Sequence, residues 1–356
     1  VPSARERKMS HSAVNKSSIH HTTMKPITIR DIARELNISV STVSRALQDH
    51  PDISQLTKKA VRECAMRLNY KPNIMASNLR TSKNTTIGVV MPELNHYFFS
   101  SVLDGIEQTA NEAGYNILIC QTREDVEKEY RSVHTLIGTR VAGMLVGVSK
   151  QTAQLHHLQE VLDNSIPLVL YDRPCPSLPC DQVVSDDYMG AFNAVEYLIQ
   201  TGKRKVMFMS SSFQLEVSRR RYQGWRDALM RYHIPIHDNM IVECDTRSGA
   251  IIATPRILQS DDRPEAIFCV NDDCAAGVLH AAQIMGVKVP DELSICGFSN
   301  APICRATVPM LTTVQQHGVA IGKRATMRLL KRLAGEDRIP QTEMVPTDLI
   351  VRETTK

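Results

Sequence analysis

The chain has 356 residues, of which 42% are apolar and 22% charged. That length exceeds one compact domain, and that apolar share excludes wholesale disorder. The net charge of +4 is unevenly placed: residues 1–86 hold 15 Lys/Arg against 6 Asp/Glu, and the remaining 270 hold 27 against 32. The N-terminal quarter therefore attracts a polyanion, unless it is only a solvated basic tail, and the acidic remainder does not. No run of about 18 apolar residues occurs, so a membrane-spanning helix is excluded. The nine cysteines are scattered, several of them inside apolar runs such as Asn116–Cys120. That is the pattern of free, buried thiols in a reducing compartment, and the expected location is the cytoplasm. Cys175 and Cys180 form a close pair; they lack zinc-knuckle spacing and a second pair nearby, so neither metal nor other cofactor is expected.

Residues 1–23 are polar and rich in Ser and His, without the apolar stretch of a secretory signal. They read as a disordered extension, with Met24 a candidate natural start. From 24 to 70 the pattern is helical. Ile29, Ile32, Ala33 and Leu36 follow the spacing of one helix face, with Thr28 as N-cap and Asp31 as the capping-box acid. Asn37, which tolerates left-handed backbone, breaks that helix, and Ser39 caps a second over Val40–Leu47. Ser54 opens a third, with Leu56, Ala60, Cys64, Ala65 and Leu68 on its inner face, closed by Asn69 and Pro72. Residues 71–86 are polar and basic, a linker with a short helical stretch around Asn73–Leu79.

From Ile87 onward, short apolar runs (IGVVM, NILIC, GMLVGV, PLVLYD, KVMFM, AIFCV, LSICGF) alternate with amphipathic stretches of helical length. The amphipathic stretches include Phe99–Ala113, Val126–Thr139, Tyr188–Thr201, Arg221–Tyr232 and Cys274–Met285. Strand–helix alternation of this kind predicts parallel sheets covered by helices on both faces. Two sheets in series, with the chain crossing near Val183–Asp187, predict two lobes and a cleft. Ligands of such folds bind beyond the carboxyl ends of the strands. The expected architecture is an all-α helix-turn-helix headpiece followed by a two-lobed α/β domain over 87–351. Lobe 1 takes about 87–185 and 317–342; lobe 2 takes about 186–316 and 343–351.

Two short helices meeting at a tight turn can seat the second in a DNA major groove, about 12 Å wide. Ser41, Thr42 and Ser44 supply hydroxyls, and Arg45 supplies a fork for a guanine edge or a phosphate. The segment Thr28–Leu47 resembles the headpiece of the LacI/GalR family of bacterial transcription regulators, whose pattern is roughly T-(I/L)-x-D-(I/V)-A-x-x-A-G-V-S-x-x-T-V-S-R-x-L. Leu36 and Asn37 stand in place of Ala-Gly. The resemblance implies DNA contacts through Thr28, Ser39, Val40, Ser41, Thr42, Ser44 and Arg45. It continues through a hinge, Leu68–Asn73 and Ala76–Leu79, with Asn73, Ala76 and Leu79 at the DNA. In the family a hinge leucine wedges into the minor groove, and Leu79 matches it; alone, it reads equally as an ordinary linker residue. Lys58, Lys59 and Arg62 are candidates for phosphate contact.

Landmarks in the same order extend the resemblance to about Val351 and imply the periplasmic-binding-protein-like fold. They include Tyr97–Phe99, Pro167–Pro174, Asp187–Ala191, Arg221–Trp225, Val270–Asp272, Gly297–Phe298 and Leu311–Val314. By the same resemblance, Asp172, Arg221, Asn271 and Phe98 contact a small-molecule effector. Each has a plainer reading: Asp172 paired with Arg173, Arg221 on a solvated face, Asn271 as a helix cap. Ser299 occupies a position where the family often has an effector-gripping Asp, and it cannot supply a carboxylate. The family further implies a homodimer on a pseudo-palindromic operator, usually repressing, with a sugar or sugar derivative as effector and no membrane partner. A solute-binding protein without a DNA role, and a sugar-modifying enzyme, are the rival classes. No enzyme motif supports the latter. Gly318–Arg324 only faintly matches a phosphate-binding loop and fits an amphipathic helix better. The adjacent pairs Asp186–Asp187 and Asp272–Asp273 diverge, and His156–His157 belong on a surface helix.

Overall fold

A computed structural model describes residues 27–71, 84–336 and 339–355, which fall into two units, one on each side of segment 72–83. The expected extension, 1–23, and the hinge residues Asn73, Ala76 and Leu79 lie outside the described residues.

The described residues of the first unit form three helices: α1 (Ile29–Glu35), α2 (Val40–Leu47) and α3 (Gln55–Arg67). Thr28 donates to Asp31 Oδ2 from both its backbone N (2.9 Å) and its Oγ1 (2.7 Å), closing the α1 N-terminus. Asn37 turns the chain at φ 51°, and Ser39 Oγ accepts from Thr42 N at 3.0 Å to start α2. The helices bury Ile32, Ala33, Val43, Ala46, Val61, Cys64 and Ala65 against one another. The α3 register corrects the expected inner face, because Leu56 is 83% exposed and Ala60 is also outside. Leu56 precedes Val61 by five residues, about 140° around the helix, so the two cannot share a face.

The second unit holds two six-stranded sheets. The first has the order β11-β5-β4-β3-β1-β2, and every pairing in it is parallel. Its strands are β1 (Thr86–Met91), β2 (Asn116–Gln121), β3 (Gly143–Val146), β4 (Leu168–Tyr171), β5 (Asp181–Ser185) and β11 (Thr342–Val345). Helices α4 (Tyr97–Glu112), α5 (Val126–Gly138), α6 (His156–Asp163) and α12 (Gly318–Ala334) accompany it. The second sheet has the order β12-β10-β9-β8-β6-β7. Its strands are β6 (Val206–Ser210), β7 (Ile241–Glu243), β8 (Ala266–Cys269), β9 (Ser294–Phe298), β10 (Thr312–Gln315) and β12 (Asp348–Ile350). Here only the β10–β12 pairing is antiparallel. Helices α7 (Asp187–Gln200), α8 (Glu216–Arg231), α9 (Arg247–Leu258), α10 (Asp272–Ile284) and α11 (Ile303–Ala306) accompany it.

Among the described residues the chain passes between sheets at 185–187, 315–318 and 345–348. The last crossing lies a few residues beyond the expected 342/343 boundary. Thr342–Val345 pair along Gln182–Ser185 as the edge of the first sheet, a short strand with little apolar signal. Close packing of α4 on α12 depends on glycine: a Cβ at Gly105 would lie 2.1 Å from Val319 O, and one at Gly322 would lie 2.0 Å from Val102 O. Gly318–Arg324 are thus helix, as their amphipathic pattern indicates. His157 corrects the surface-helix reading. It is 1% exposed, and its Nε2 is 2.8 Å from the buried Glu129 Oε1, while His156 stays outside. No described helix is long and apolar enough to cross a membrane.

Candidate ligand cleft and nucleic-acid interface

On the first unit, the outer face of α2 presents Ser41 and Arg45, with Gln48 just beyond its end and Val40 38% exposed at its start. Ser39 Oγ lies 2.7 Å from Ser41 Oγ and 2.8 Å from Thr42 Oγ1, so three hydroxyls cluster where α2 begins. Thr28 is exposed at the start of α1. Ser44, in contrast, is 7% exposed and belongs to the packed side of α2. Lys58 also departs from its expected place at a phosphate. Its side chain is 5% exposed, and its Nζ reaches Asp49 Oδ1 and Asp49 O, each at 3.1 Å. Arg62 donates to the same carboxylate at 2.9 Å. The Lys58 hydrogen bond, with its charge and that of Arg62, holds the Asp49 carboxyl below its usual range. Lys59, 75% exposed, keeps its ammonium at the surface.

In the second unit, the C-terminal ends of the strands of both lobes enclose a cavity of about 240 Å³. Phe98, Asp172, Arg221, Asn271 and Ser299 all line it. Asp172 follows β4 with φ 69° and is 5% exposed. Burial pushes its carboxyl up to about 7, Arg173 opposes the rise, and Asp187 adds to it. Arg173 Nε lies 3.6 Å from Asp172 Oδ2, the pairing that the plainer reading anticipates.

Arg173 is held on three sides. It makes two hydrogen bonds to Glu124 (2.7 and 2.8 Å), donates to Val148 O (2.7 Å), and lies 5.3 Å from the Phe99 ring centre. Arg221 has the matching setting in lobe 2. Its Nε and Nη2 reach Asp187 Oδ1 at 2.8 and 2.7 Å, Nη1 donates to Val270 O, and its guanidinium lies 3.8 Å over Phe298. Its 7% exposure rules out the solvated face. Asn271 is the α10 cap: Oδ1 accepts from Cys274 N at 2.8 Å, and Nδ2 donates to Asp245 O at 2.8 Å. Ser299 adopts φ 124° and donates from Oγ to Gln316 Oε1 at 2.8 Å. Gln316 Nε2 in turn donates to Ser185 Oγ of lobe 1 at 3.3 Å.

Other lining groups carry no individual sequence signal. Lys150 of lobe 1 meets Asp245 of lobe 2 across the cleft at 2.5 Å, and Arg247 pairs with Asp273. Glu124, Lys150, Asp245 and Gln316 lie on loops and strand ends that only the tertiary fold gathers. Arg173 and Asp187 fall inside the landmarks Pro167–Pro174 and Asp187–Ala191, but nothing local pairs them with Glu124 and Arg221. The expected divergence of the Asp pairs is observed. Asp186 Oδ1 caps α7 through Met189 N, whereas Asp187 faces Arg221. Asp272 accepts from Thr313 Oγ1 and Ala301 N, whereas Asp273 meets Arg247. Two buried lining atoms, His96 Nδ1 and Arg173 Nε, have no hydrogen-bond partner. A larger depression of about 520 Å³ beside Tyr232 and Ile234 has an exposed rim and none of the expected contacts.

Both units have counterparts among known proteins. Residues 28–73 match the family model for bacterial regulatory proteins of the lacI family, and residues 195–355 match that for a periplasmic binding protein-like domain. Catabolite control protein A of Priestia megaterium is 32% identical over 333 residues, spanning 93% of this chain and 99% of that protein. The HTH-type transcriptional repressor PurR of Vibrio vulnificus is 31% identical over 335 residues, spanning 92% and 98%. The crystal structure of the Lac repressor dimer bound to operator and the anti-inducer ONPF is 25% identical with a TM-score of 0.84, spanning 93% of this chain and 99% of that one. Headpiece, two-lobed fold and 31–32% identity over more than nine-tenths of the chain agree: the chain belongs to the lacI family of bacterial regulatory proteins.

Proposed function

We propose that the protein is a sequence-specific transcription repressor that binds a pseudo-palindromic operator as a dimer and is controlled by a sugar or sugar derivative in the interlobe cleft. The observation that carries this reading is the pairing, in one chain, of an exposed recognition helix with a polar cavity lined from both lobes. Val40, Ser41 and Arg45 are the base-reading candidates, and Lys59 is a backbone contact. Thr28, Ser39 and Thr42 position the helix start at the DNA, and Ser44 supports the helix from its packed side. Asn73, Ala76 and Leu79 carry the hinge contact.

A dimer is favoured because one headpiece reads too few base pairs for useful specificity. Apolar side chains stand uncovered to join two copies: Leu118 and Ile119 on edge strand β2, each 38% exposed, and Ile252 and Ile284 on α9 and α10, 79% and 71% exposed. Effector held by Asp172, Arg221, Asn271, Phe98 and Ser299 changes the angle between lobes and thereby the DNA-competent population. The test is selection of duplexes from a random library by the full-length protein, with and without a pool of sugars and nucleobases. Enrichment of a palindrome with a deformable centre is expected. Two blank selections would overturn the reading.

A further inference from the structure

We infer that the cleft accepts a small ligand without an acidic group, rich in hydroxyl or N–H donors, and rejects the phosphorylated or carboxylate-bearing forms of that ligand. This rests on the reading of the cleft as the effector site.

The charges are already spent. Each cation that lines the cavity has a carboxylate partner: Arg173 has Glu124, Arg221 has Asp187, Lys150 has Asp245, and Arg247 has Asp273. The two buried arginines are further satisfied by the carbonyls of Val148 and Val270, and each lies near an aromatic ring. Asp172 and Glu93 add two more carboxylates to the same lining. Six carboxyl groups therefore accompany four cations, and even with a proton on Asp172 the five others outnumber them. A phosphate entering here meets no uncommitted positive charge. To win Arg173 or Arg221 it must displace Glu124 or Asp187 and leave that carboxylate buried and unpaired, which is strongly unfavourable. Phosphorylation adds about −1.5 to −2 charges at neutral pH, so one such transfer onto a ligand hydroxyl suffices to cancel recognition.

The unmet demand is for neutral hydrogen bonding. His96 Nδ1 is buried without a hydrogen-bond partner, and Asp172, which Arg173 Nε approaches only to 3.6 Å, offers buried carboxyl oxygens that a hydroxyl or N–H donor can satisfy. Where a carboxylate from the Ser299 position would add a further negative group, Ser299 supplies a hydroxyl tied to Gln316. Such a site reads polyols, sugars, nucleosides or amino sugars in their free state. A regulator built on it responds to the ligand before a kinase has phosphorylated it.

The test uses full-length protein and matched compounds followed by titration calorimetry and thermal shift. The set comprises neutral pentoses, hexoses and nucleosides, 2-amino sugars, the monophosphate and uronate of each where one exists, and inorganic phosphate and sulfate. At least one non-acidic member is expected to bind, with its phosphate at least about 100-fold weaker. Inorganic phosphate and sulfate are expected to give no saturable signal. Glu124→Gln, which frees Arg173, is expected to gain phosphate binding that competes with the neutral compound. A phosphate or uronate that binds the unaltered protein as tightly as its neutral parent overturns the inference. So does a set in which no non-acidic member binds. Binding that persists unchanged in the Asp172→Ala, Asn271→Ala double variant would place the compound elsewhere and overturn the effector-site reading itself, whatever the charge preference.

Discussion

In Asp172 a carboxyl group is taken out of water at the end of β4, and the proton it holds has a thermodynamic consequence. The folded chain keeps that proton up to about pH 7, whereas an unperturbed aspartate releases it near 3.8. Between those values the folded form binds the extra proton, so the contribution to stability falls as pH rises through that window. Burial also raises Asp187 and Asp272, which act in the same direction. Asp172→Asn is therefore expected to raise the melting temperature relative to the unaltered protein more at pH 8 than at pH 5. Equal shifts at both pH values would contradict the assigned environment. On the headpiece, Lys58 and Lys59 are neighbours in sequence with opposite fates. Lys59→Ala should weaken DNA binding and reduce the slope of log affinity against log salt by about 0.9, one phosphate contact. Lys58→Ala should lower headpiece stability and leave that slope unchanged, since its ammonium is committed to Asp49. Composition alone could not separate them: the distinction is an angle around α3.

At the scale of elements, local signals were most legible where a cap or a turn is made by adjacent residues. Thr28 with Asp31, Asn37, Ser39 and Ser54 each act within three residues, and each was readable. The long parallel strands were readable because both their faces are buried. Of the four edge strands, β2 alone was readable, from its apolar run. The short strands β7, β11 and β12 are only partly buried, and their pairing depends on a neighbour distant in the chain. The α4–α12 contact is likewise non-local. Gly322→Ala is expected to cost about 1–3 kcal/mol, because the added methyl meets the backbone carbonyl of Val102 rather than a side chain that can turn away. Chemical denaturation would measure it, and a loss below about 0.5 kcal/mol would mean the helices separate easily.

Across the whole two-lobed unit, the lobes meet through a few polar links over the cleft, among them Lys150–Asp245 and Gln316–Ser185. Lys150 and Asp245 retain partial exposure, 35% and 21%, so their pair contributes at most about 1 kcal/mol. That is enough to shift a two-state lobe angle about fivefold, and too little to hold it shut. Lys150→Ala is expected to increase the radius of gyration in small-angle scattering without lowering the melting temperature by more than about 2 °C. An unchanged radius would mean the pair does not restrain the lobes.

The sequence by itself determined the headpiece and the alternation that builds parallel sheets, and its resemblance to the lacI family pointed to five positions that line the cleft. Those properties rest on short-range periodicity, on capping, or on motifs that survive as contiguous residues. The tertiary structure decided how the charges in the cleft are paired. Glu124 with Arg173, Asp187 with Arg221 and Lys150 with Asp245 lie 49, 34 and 95 residues apart. No local pattern records which carboxylate a guanidinium will meet once both leave water, yet that pairing decides whether the cleft holds a positive charge to offer.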